Sequence, residues 1–432
     1  MSDPLDPGWV APARPGYGWM VAGLLSVTAI LSYTDRQVLS LIVDPVRADL
    51  AIDDTRMSLL LGTAFALVYG IAGVPLGWLA DRGSRRNMIL GGLVVWSFGT
   101  IGCGLAGGFG QLFGARLVVG LGEAVLSPAA ISLISDYFPP SQRGRAVGLY
   151  FTGICIGVGG SFLIGGEVLK LVRSGLFASG PFAALPAWRL LFLVIGFPSL
   201  LWGLALLVIR EPPRGLAAPA APERLPAGSS GRGALLSIAP IFATVALASL
   251  VDNAVGGWAP SLLQRRFGAD PAEVGLTLGY LLIFAYGGGM LIGGWCVDLA
   301  ARKSPRQGKI VLCAGSALSI LPLTLLIDAG TPNLVLTGIG LYFALSAFVT
   351  ASGLSVILDH APSHLRGTAM AVSFFLNVAV GAGLGPTAVI LSGGLLFGEA
   401  AGLGPAIAFT AASAFVLAAA AALFALRATR TK

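Results

Sequence analysis

Charge is what this sequence has least of. Acidic and basic residues make up 11% of its 432 residues, where a soluble globular chain carries about 25%. That shortage excludes a water-soluble domain. Cysteine is also sparse. Cys103, Cys155, Cys296 and Cys313 are scattered through apolar runs and form no CxxC; they read as packing residues, which leaves no disulfide framework and no thiolate metal centre. The two histidines, His360 and His364, stand four apart at a helix end with only Asp359 beside them, too few ligands for a metal site. No Gly-Lys-Ser/Thr follows a glycine cluster, so no phosphate-binding loop is expected and ATP is not the energy source. No nucleophile–base pair stands out either. The chain is not expected to be an enzyme or to carry a cofactor. Residues 1–17 are Pro-rich, polar and acidic at their start, unlike the basic n-region of a cleaved signal, so the first apolar run is expected to serve as the insertion signal.

What is abundant is apolar length. Hydrophobic residues make up 56% of the chain, with 61 glycines, a residue that lets membrane helices approach closely. Twelve apolar runs reach the ~20 residues needed to cross a bilayer. They fall near 18–43, 57–80, 88–106, 110–136, 145–171, 188–209, 236–262, 274–298, 310–327, 332–358, 367–393 and 402–426. The expected fold class is therefore an all-α integral membrane protein of twelve transmembrane helices. With the N-terminus in the cytoplasm, 18 of the 27 Lys and Arg residues fall in cytoplasmic loops and tails, and Arg36 and Arg116 lie within spans. This asymmetry predicts that both termini are cytoplasmic. It also accounts for the net charge of +7 without a nucleic-acid partner. The Pro- and Gly-Ser-rich stretch 211–235 reads as a cytoplasmic linker. The expected organisation is thus a tail 1–17, a six-helix bundle 18–210, the linker 211–235, a second bundle 236–426 and a tail 427–432.

The two bundles repeat one another. At a shift of 217 residues, Asp35 falls on Asp252, Gly62 on Gly279, Tyr69 on Tyr286, Gly77 on Gly294, Asp81 on Asp298 and Arg85 on Arg302. At a shift of 223, Ser132 falls on Ser355, Asp136 on Asp359, Arg143 on Arg366, Phe151 on Phe374 and Glu123 on Ser346. Parallel repeats of this kind surround a central cavity with the substrate near the midplane.

The charges that do enter the spans are the candidate site. Asp35 and Arg36 are adjacent in span one. Arg116, Gly120, Glu123 and Ser127 are spaced by 4, 3 and 4 in span four, which puts them on one helical face. Counted from Arg47 and from Gly110, Asp35 and Glu123 both lie ~18–20 Å from the same membrane face at 1.5 Å per residue. Ionisable groups at such depth cost several kcal/mol and mark solute pathways. The proton affinity of a buried carboxylate is set by the balance of burial against a neighbouring arginine, a balance that suits proton coupling. A permanent ion network holding helices together uses the same residues, and the sequence leaves both readings open.

After span two comes Gly77-Trp-Leu-Ala-Asp81-Arg82-Gly-Ser-Arg85-Arg86. This resembles the cytoplasmic loop motif G-x-x-x-D-R-x-G-R-R of the major facilitator superfamily, with Ser84 where the second glycine is usual. Gly77 would let two helices pack closely, Asp81 would face the N-terminal end of span eleven, and the arginines would pair with Asp136. The resemblance implies a latch that closes the cytoplasmic side. Arg82, Arg85, Arg86, Asp136 and Arg143 would form it in the first half, and Asp298, Arg302, Asp359 and Arg366 in the second. Tyr33-Thr-Asp35-Arg36 and the run Arg116 to Glu123 look like the Spinster branch of that superfamily, whose members export sphingolipids and lysolipids, in some cases with proton coupling. Sugar-acid and other organic-anion carriers share a similar Asp-Arg. The resemblance implies that Asp35, Arg36, Arg116 and Glu123 carry substrate binding and coupling.

In the second half, Asp252-Asn253 replaces Asp35-Arg36. Asp252, Asn253 and Ser346 are candidates to line the cavity, with Trp258, Tyr280, Tyr286, Phe374 and Asn377 as a more apolar wall suited to the chain of an amphiphile. The expected function is a secondary transporter working by alternating access and coupled to protons. Its substrate would be a sphingoid- or lysolipid-type amphiphile or an organic anion. Its other partners would be membrane lipids, and it would act as a monomer in a bacterial inner membrane. An uncoupled facilitator is the near alternative, and a transporter-derived membrane receptor the alternative of another class.

Overall fold

The computed structural model describes residues 16–80, 82–176, 183–212, 238–304, 307–361, 365–398 and 402–430. Asp81, His364 and the linker beyond Pro212 lie outside them, and of Arg366 only the backbone is described. Among the described residues, twelve helices are long and apolar enough to span a membrane. They are α1 Tyr17–Leu41, α2 Asp54–Gly73, α3 Arg85–Leu105, α4 Phe109–Tyr137, α5 Ser141–Gly175 and α6 Ala187–Leu206, followed by α7 Ala239–Phe267, α8 Pro271–Lys303, α9 Gly308–Ile327, α10 Pro332–His360, α11 Thr368–Phe397 and α12 Leu403–Arg427. No strand occurs among the described residues. The architecture is the all-α membrane fold expected from the apolar runs.

The helix starts follow local chemistry. α2 begins at Asp54, three residues before the apolar run, because the Asp53 carboxylate caps it by accepting the Arg56 N–H at 2.8 Å. α8 begins behind Asp270, which accepts the Ala272 N–H at 2.8 Å, with Pro271 at the first helical position, where its missing N–H costs nothing. Ser84 caps α3 by accepting the Asn87 N–H at 3.3 Å. α4 is broken into Phe109–Glu123 and Leu126–Tyr137. Pro128 explains the break: it has no N–H to give the Ala124 carbonyl, and its ring crowds that carbonyl.

Contacts divide the chain into two compact units. One comprises Met1–Arg36, Val68–Ser161 and Leu171–Arg224; the other comprises Gln37–Leu67, Phe162–Lys170 and Leu225–Lys432. In the first, α3 packs along both α4 and α6. The approach of α3 to α4 is set by a reciprocal glycine pair: a Cβ on Gly92 would lie 2.5 Å from the Gly122 carbonyl oxygen, and one on Gly122 would lie 2.5 Å from the Gly92 carbonyl oxygen. Only glycine permits that backbone contact, and Gly122 is the neighbour of Glu123. In the second unit, α7 packs on α10, α11 and α12, and α8 on α10. There the Phe162–Lys170 segment of α5 meets α8 through Gly166 and Gly275, where a Cβ on Gly275 would lie 2.9 Å from the Gly166 Cα.

The duplication read from the sequence reappears as a duplicated bond. In the first unit Arg85, opening α3, donates to the Ser132 hydroxyl at 3.2 Å and pairs with Asp136. In the second, Lys309, opening α9, donates to the Ser355 hydroxyl at 2.8 Å and to Asp359 at 2.5 Å. Ser132/Ser355 and Asp136/Asp359 are repeat partners.

Candidate functional site

Within the first unit, α1 and α4 bring the intramembrane charges together. Arg36 Nη2 donates to Glu123 Oε2 at 2.8 Å, with side-chain exposures of 14% and 0%. The Ser32 hydroxyl donates to the same oxygen at 2.8 Å. Ser32 precedes Arg36 by one helical turn, so both side chains leave α1 on the face that meets α4. The Arg36 guanidinium also lies over two aromatic faces, 4.7 Å from the Tyr33 ring centre and 5.3 Å from that of Tyr69. Such contacts contribute about 0.5–2 kcal/mol each. A cavity of about 20 Å³, room for one water, is lined by Ser32, Tyr33, Arg36, Tyr69, Glu123 and Tyr150. Among the described residues Glu123 Oε1 is buried without a hydrogen-bond partner. On the same wall Ser127 and Tyr150 share a hydrogen bond of 3.0 Å.

Arg116 and Asp35 do not pair as carboxylate and guanidinium. Fully buried Arg116 donates to the backbone carbonyls of Asp35 at 3.1 Å and Arg36 at 3.2 Å. It therefore fixes the α1 backbone at the turn that presents both charges. Asp35 is 1% exposed; among the described residues its carboxylate has the Thr100 side chain beside it but no hydrogen bond of good geometry.

The arginine-rich motif joins the ends of several first-unit helices. Arg85, besides Asp136 and Ser132, donates from Nε to Glu211 at 2.7 Å. Glu211 also accepts the Ser84 hydroxyl at 3.1 Å and the Arg86 N–H at 2.9 Å. A carboxylate thus sits on the N-terminus of α3, where the helix dipole favours it. Burial pushes the Glu211 carboxyl up, but the Arg86 N–H and the Arg85 guanidinium outweigh that and hold it below the ordinary glutamate range. Arg86 reaches the Leu207 carbonyl at 2.7 Å. Arg143 Nε donates to the Ser135 and Phe138 carbonyls, both at 2.9 Å, and so caps the end of α4. Arg82 is exposed and stacks on Trp78 at 3.8 Å. Gly77 is not a packing contact here, contrary to expectation: a Cβ added to it meets nothing within 4 Å, and Gly294 is equally open. In the second half Asp298 and Arg302 are exposed, and Lys309, not Arg302, holds Asp359.

The second-half candidates separate into three kinds. Asp252 Oδ1 accepts the Tyr342 hydroxyl at 2.6 Å and the Ser346 hydroxyl at 2.7 Å, so the repeat partners of Asp35 and Glu123 meet. Asn253 is spent on the Ser249 carbonyl at 2.9 Å. Trp258 corrects the expectation of a cavity wall: it is fully buried and donates to the Pro386 carbonyl at 2.9 Å, packing α7 on α11. Tyr286 is half-buried and stands edge-on to Phe343, at 6.2 Å. Tyr280, Phe374 and Asn377 are exposed. The functional groups not anticipated are Ser32, Tyr33, Tyr69, Tyr150, Glu211, Tyr342 and Lys309. Ser32 was available from its spacing to Arg36; an aromatic residue in an apolar run carries no such signal.

The sequence matches the Major Facilitator Superfamily over residues 25–386. An MFS-type efflux pump of Mycolicibacterium smegmatis is 27% identical over 87% of this chain and 84% of its own. The D-galactonate transporter of Escherichia coli is 25% identical over 94% and 95%. Among solved structures, a bacterial homologue of the human lysosomal transporter Spinster, in an inward-facing and unoccupied conformation, superposes with a TM-score of 0.81 at 26% identity, covering 97% of this chain and 98% of that one.

Proposed function

Because this chain belongs to the Major Facilitator Superfamily, we propose that it is a proton-coupled secondary transporter of an organic anion. It works by alternating access as a monomer in a bacterial inner membrane, with both termini cytoplasmic. The anion is either the phosphate headgroup of a phosphorylated sphingoid- or lysophospholipid-type amphiphile or a small sugar acid; the two share the phosphate or carboxylate that a guanidinium recognises. The observation that carries this reading is the Arg36–Glu123 pair between the Tyr33 and Tyr69 faces.

Arg36 is the anion anchor and Glu123 its built-in competitor. A proton delivered to Glu123 removes the charge that holds Arg36 and frees the guanidinium for a substrate anion. Loss of the proton restores the pair and displaces the anion. Asp35, buried and in no salt bridge among the described residues, supports the same coupling role, because a carboxylate at that depth is neutralised by a proton or a nearby cation. Arg116 holds the α1 backbone so that these groups stay in register. The Arg85–Asp136–Glu211 cluster, with Asp81, Arg86 and Arg143, forms the cytoplasmic latch. The D-galactonate transporter named above supports the anion class.

The test is uptake by proteoliposomes holding the purified protein, with an imposed pH gradient and labelled D-galactonate or a labelled lysophospholipid. Accumulation that follows the gradient, and that Glu123→Gln abolishes, is expected. Flux of the same solutes indifferent to pH would select the uncoupled facilitator, and unchanged pH-driven uptake by Glu123→Gln would overturn the coupling role.

A further inference from the structure

The duplicated carboxylate in the second half has no role in the mechanism above. We infer that Asp252, held by Tyr342 and Ser346, is a second proton-binding site lying wholly within the second unit. Asp252 stands near the middle of α7, 13 residues from Arg265, ~20 Å along the axis. The helices packed on α7 offer it no cation. Residues 367–398 of α11, 403–426 of α12 and 332–358 of α10 contain no Lys, Arg or His, and the charges of α8 lie at its two ends. No salt bridge involves Asp252 among the described residues. What faces it are hydroxyls: Tyr342 and Ser346 on α10, with Tyr286 of α8 further out, against Phe343.

A carboxylate in a membrane span without a counter-cation has to be neutralised by what it binds. The geometry favours a proton over a metal ion. Both hydroxyls direct their hydrogens at Oδ1, and a hard cation needs six or more oxygen ligands. The Tyr342 hydroxyl is aimed rigidly, since its ring packs on Phe343 at 4.9 Å and on Phe415 at 5.9 Å. Asp252 itself is half-buried, so protons can reach it. The two halves thus hold one carboxylate each at the same repeat position, but by different means: backbone-directed arginine around Asp35, hydroxyl donors around Asp252.

A carbodiimide that attacks only protonated carboxyls in apolar surroundings tests this on the full-length protein, with labelled residues located by mass spectrometry across a pH series. Labelling of Asp252 is expected at neutral and lower pH, falling about tenfold per pH unit on the alkaline side of a single-site titration, and persisting in Glu123→Gln. Tyr342→Phe, which keeps the ring packing and loses the donor, should extend labelling to more alkaline pH. Asp252→Asn should remove one proton from the proton-to-substrate ratio in proteoliposomes. The proposal is overturned if Asp252 stays unlabelled where Asp35 is labelled, or if sodium or an alkylammonium ion blocks the labelling and pH does not. The labelling readout needs no transport, so it can succeed or fail independently of the proton-coupled reading.

Discussion

Arg36 and Glu123 form a buried ion pair at 2.8 Å in which one Glu123 oxygen accepts both the guanidinium and the Ser32 hydroxyl, while the other has no hydrogen-bond partner among the described residues. Removing one member of such a pair strands the other. Arg36→Ala is therefore expected to destabilise the protein by about 3–5 kcal/mol. Adding Glu123→Gln should recover part of that loss, because the stranded charge is gone. Thermal melts of both single variants and the double variant check this; strictly additive losses would mean that the two side chains are not coupled.

The two copies of the basic–Ser–Asp bond differ in burial, and this decides their weight. Arg85 is 3% exposed and serves two carboxylates; Asp359, the partner of Lys309, is 46% exposed. Arg85→Ala is expected to cost about 3 kcal/mol or more. Lys309→Ala should cost about 0–1 kcal/mol. Arg85→Lys should fall between, since an ammonium cannot span Asp136 and Glu211 as the planar fork does. Melting temperatures of the three variants rank them.

The Glu211 contacts make the stability of the first unit depend on pH. Its carboxyl is held below the ordinary glutamate range in the folded protein, so the folded form prefers it ionised. The resulting stabilisation is present above the unfolded-state value of about 4.3 and is lost as pH falls through the lower folded value. Glu211→Gln should melt at a lower temperature than the parent at pH 7, and the gap should close below about pH 4. A gap that widened on acidification would contradict the sign.

Gly122 and Gly77 are expected to answer alanine very differently. At Gly122 the added Cβ meets the backbone of Gly92 and Trp96 at 2.5 Å, and backbone cannot move aside as a flexible side chain can. Gly122→Ala should cost several kcal/mol through overpacking and displace Glu123. Gly77→Ala meets nothing within 4 Å and should be neutral or slightly stabilising to the folded form. Size-exclusion profiles and melts of the two variants make the comparison.

The spans were legible because a bilayer demands ~20 apolar residues in a row, and the duplication because identical residues recur at a fixed shift. The meeting of Arg36 with Glu123 was also within reach: spacing of 4, 3 and 4 fixes a helix face, and counting residues fixes depth. What spacing cannot report is which atom a long side chain chooses. Arg116 prefers two backbone carbonyls to the Asp35 carboxylate, and every residue offers a carbonyl. Trp258 reads as a cavity wall for the same reason, since its partner is the Pro386 carbonyl. Glu211 was hidden by its company: it opens a Pro-rich stretch that reads as linker, yet its carboxylate closes the N-terminus of α3.

The break in α4 has a consequence for mutational scanning. Pro128 withholds the N–H that the Ala124 carbonyl would receive in an unbroken helix, one residue beyond Glu123. That backbone oxygen is left without its helical donor directly beside the residue that carries the negative charge of the site. No side-chain substitution deletes it, so a scan confined to the residues lining the Glu123 cavity would miss this acceptor. Replacing Pro128 with alanine, which restores the donor, would expose it.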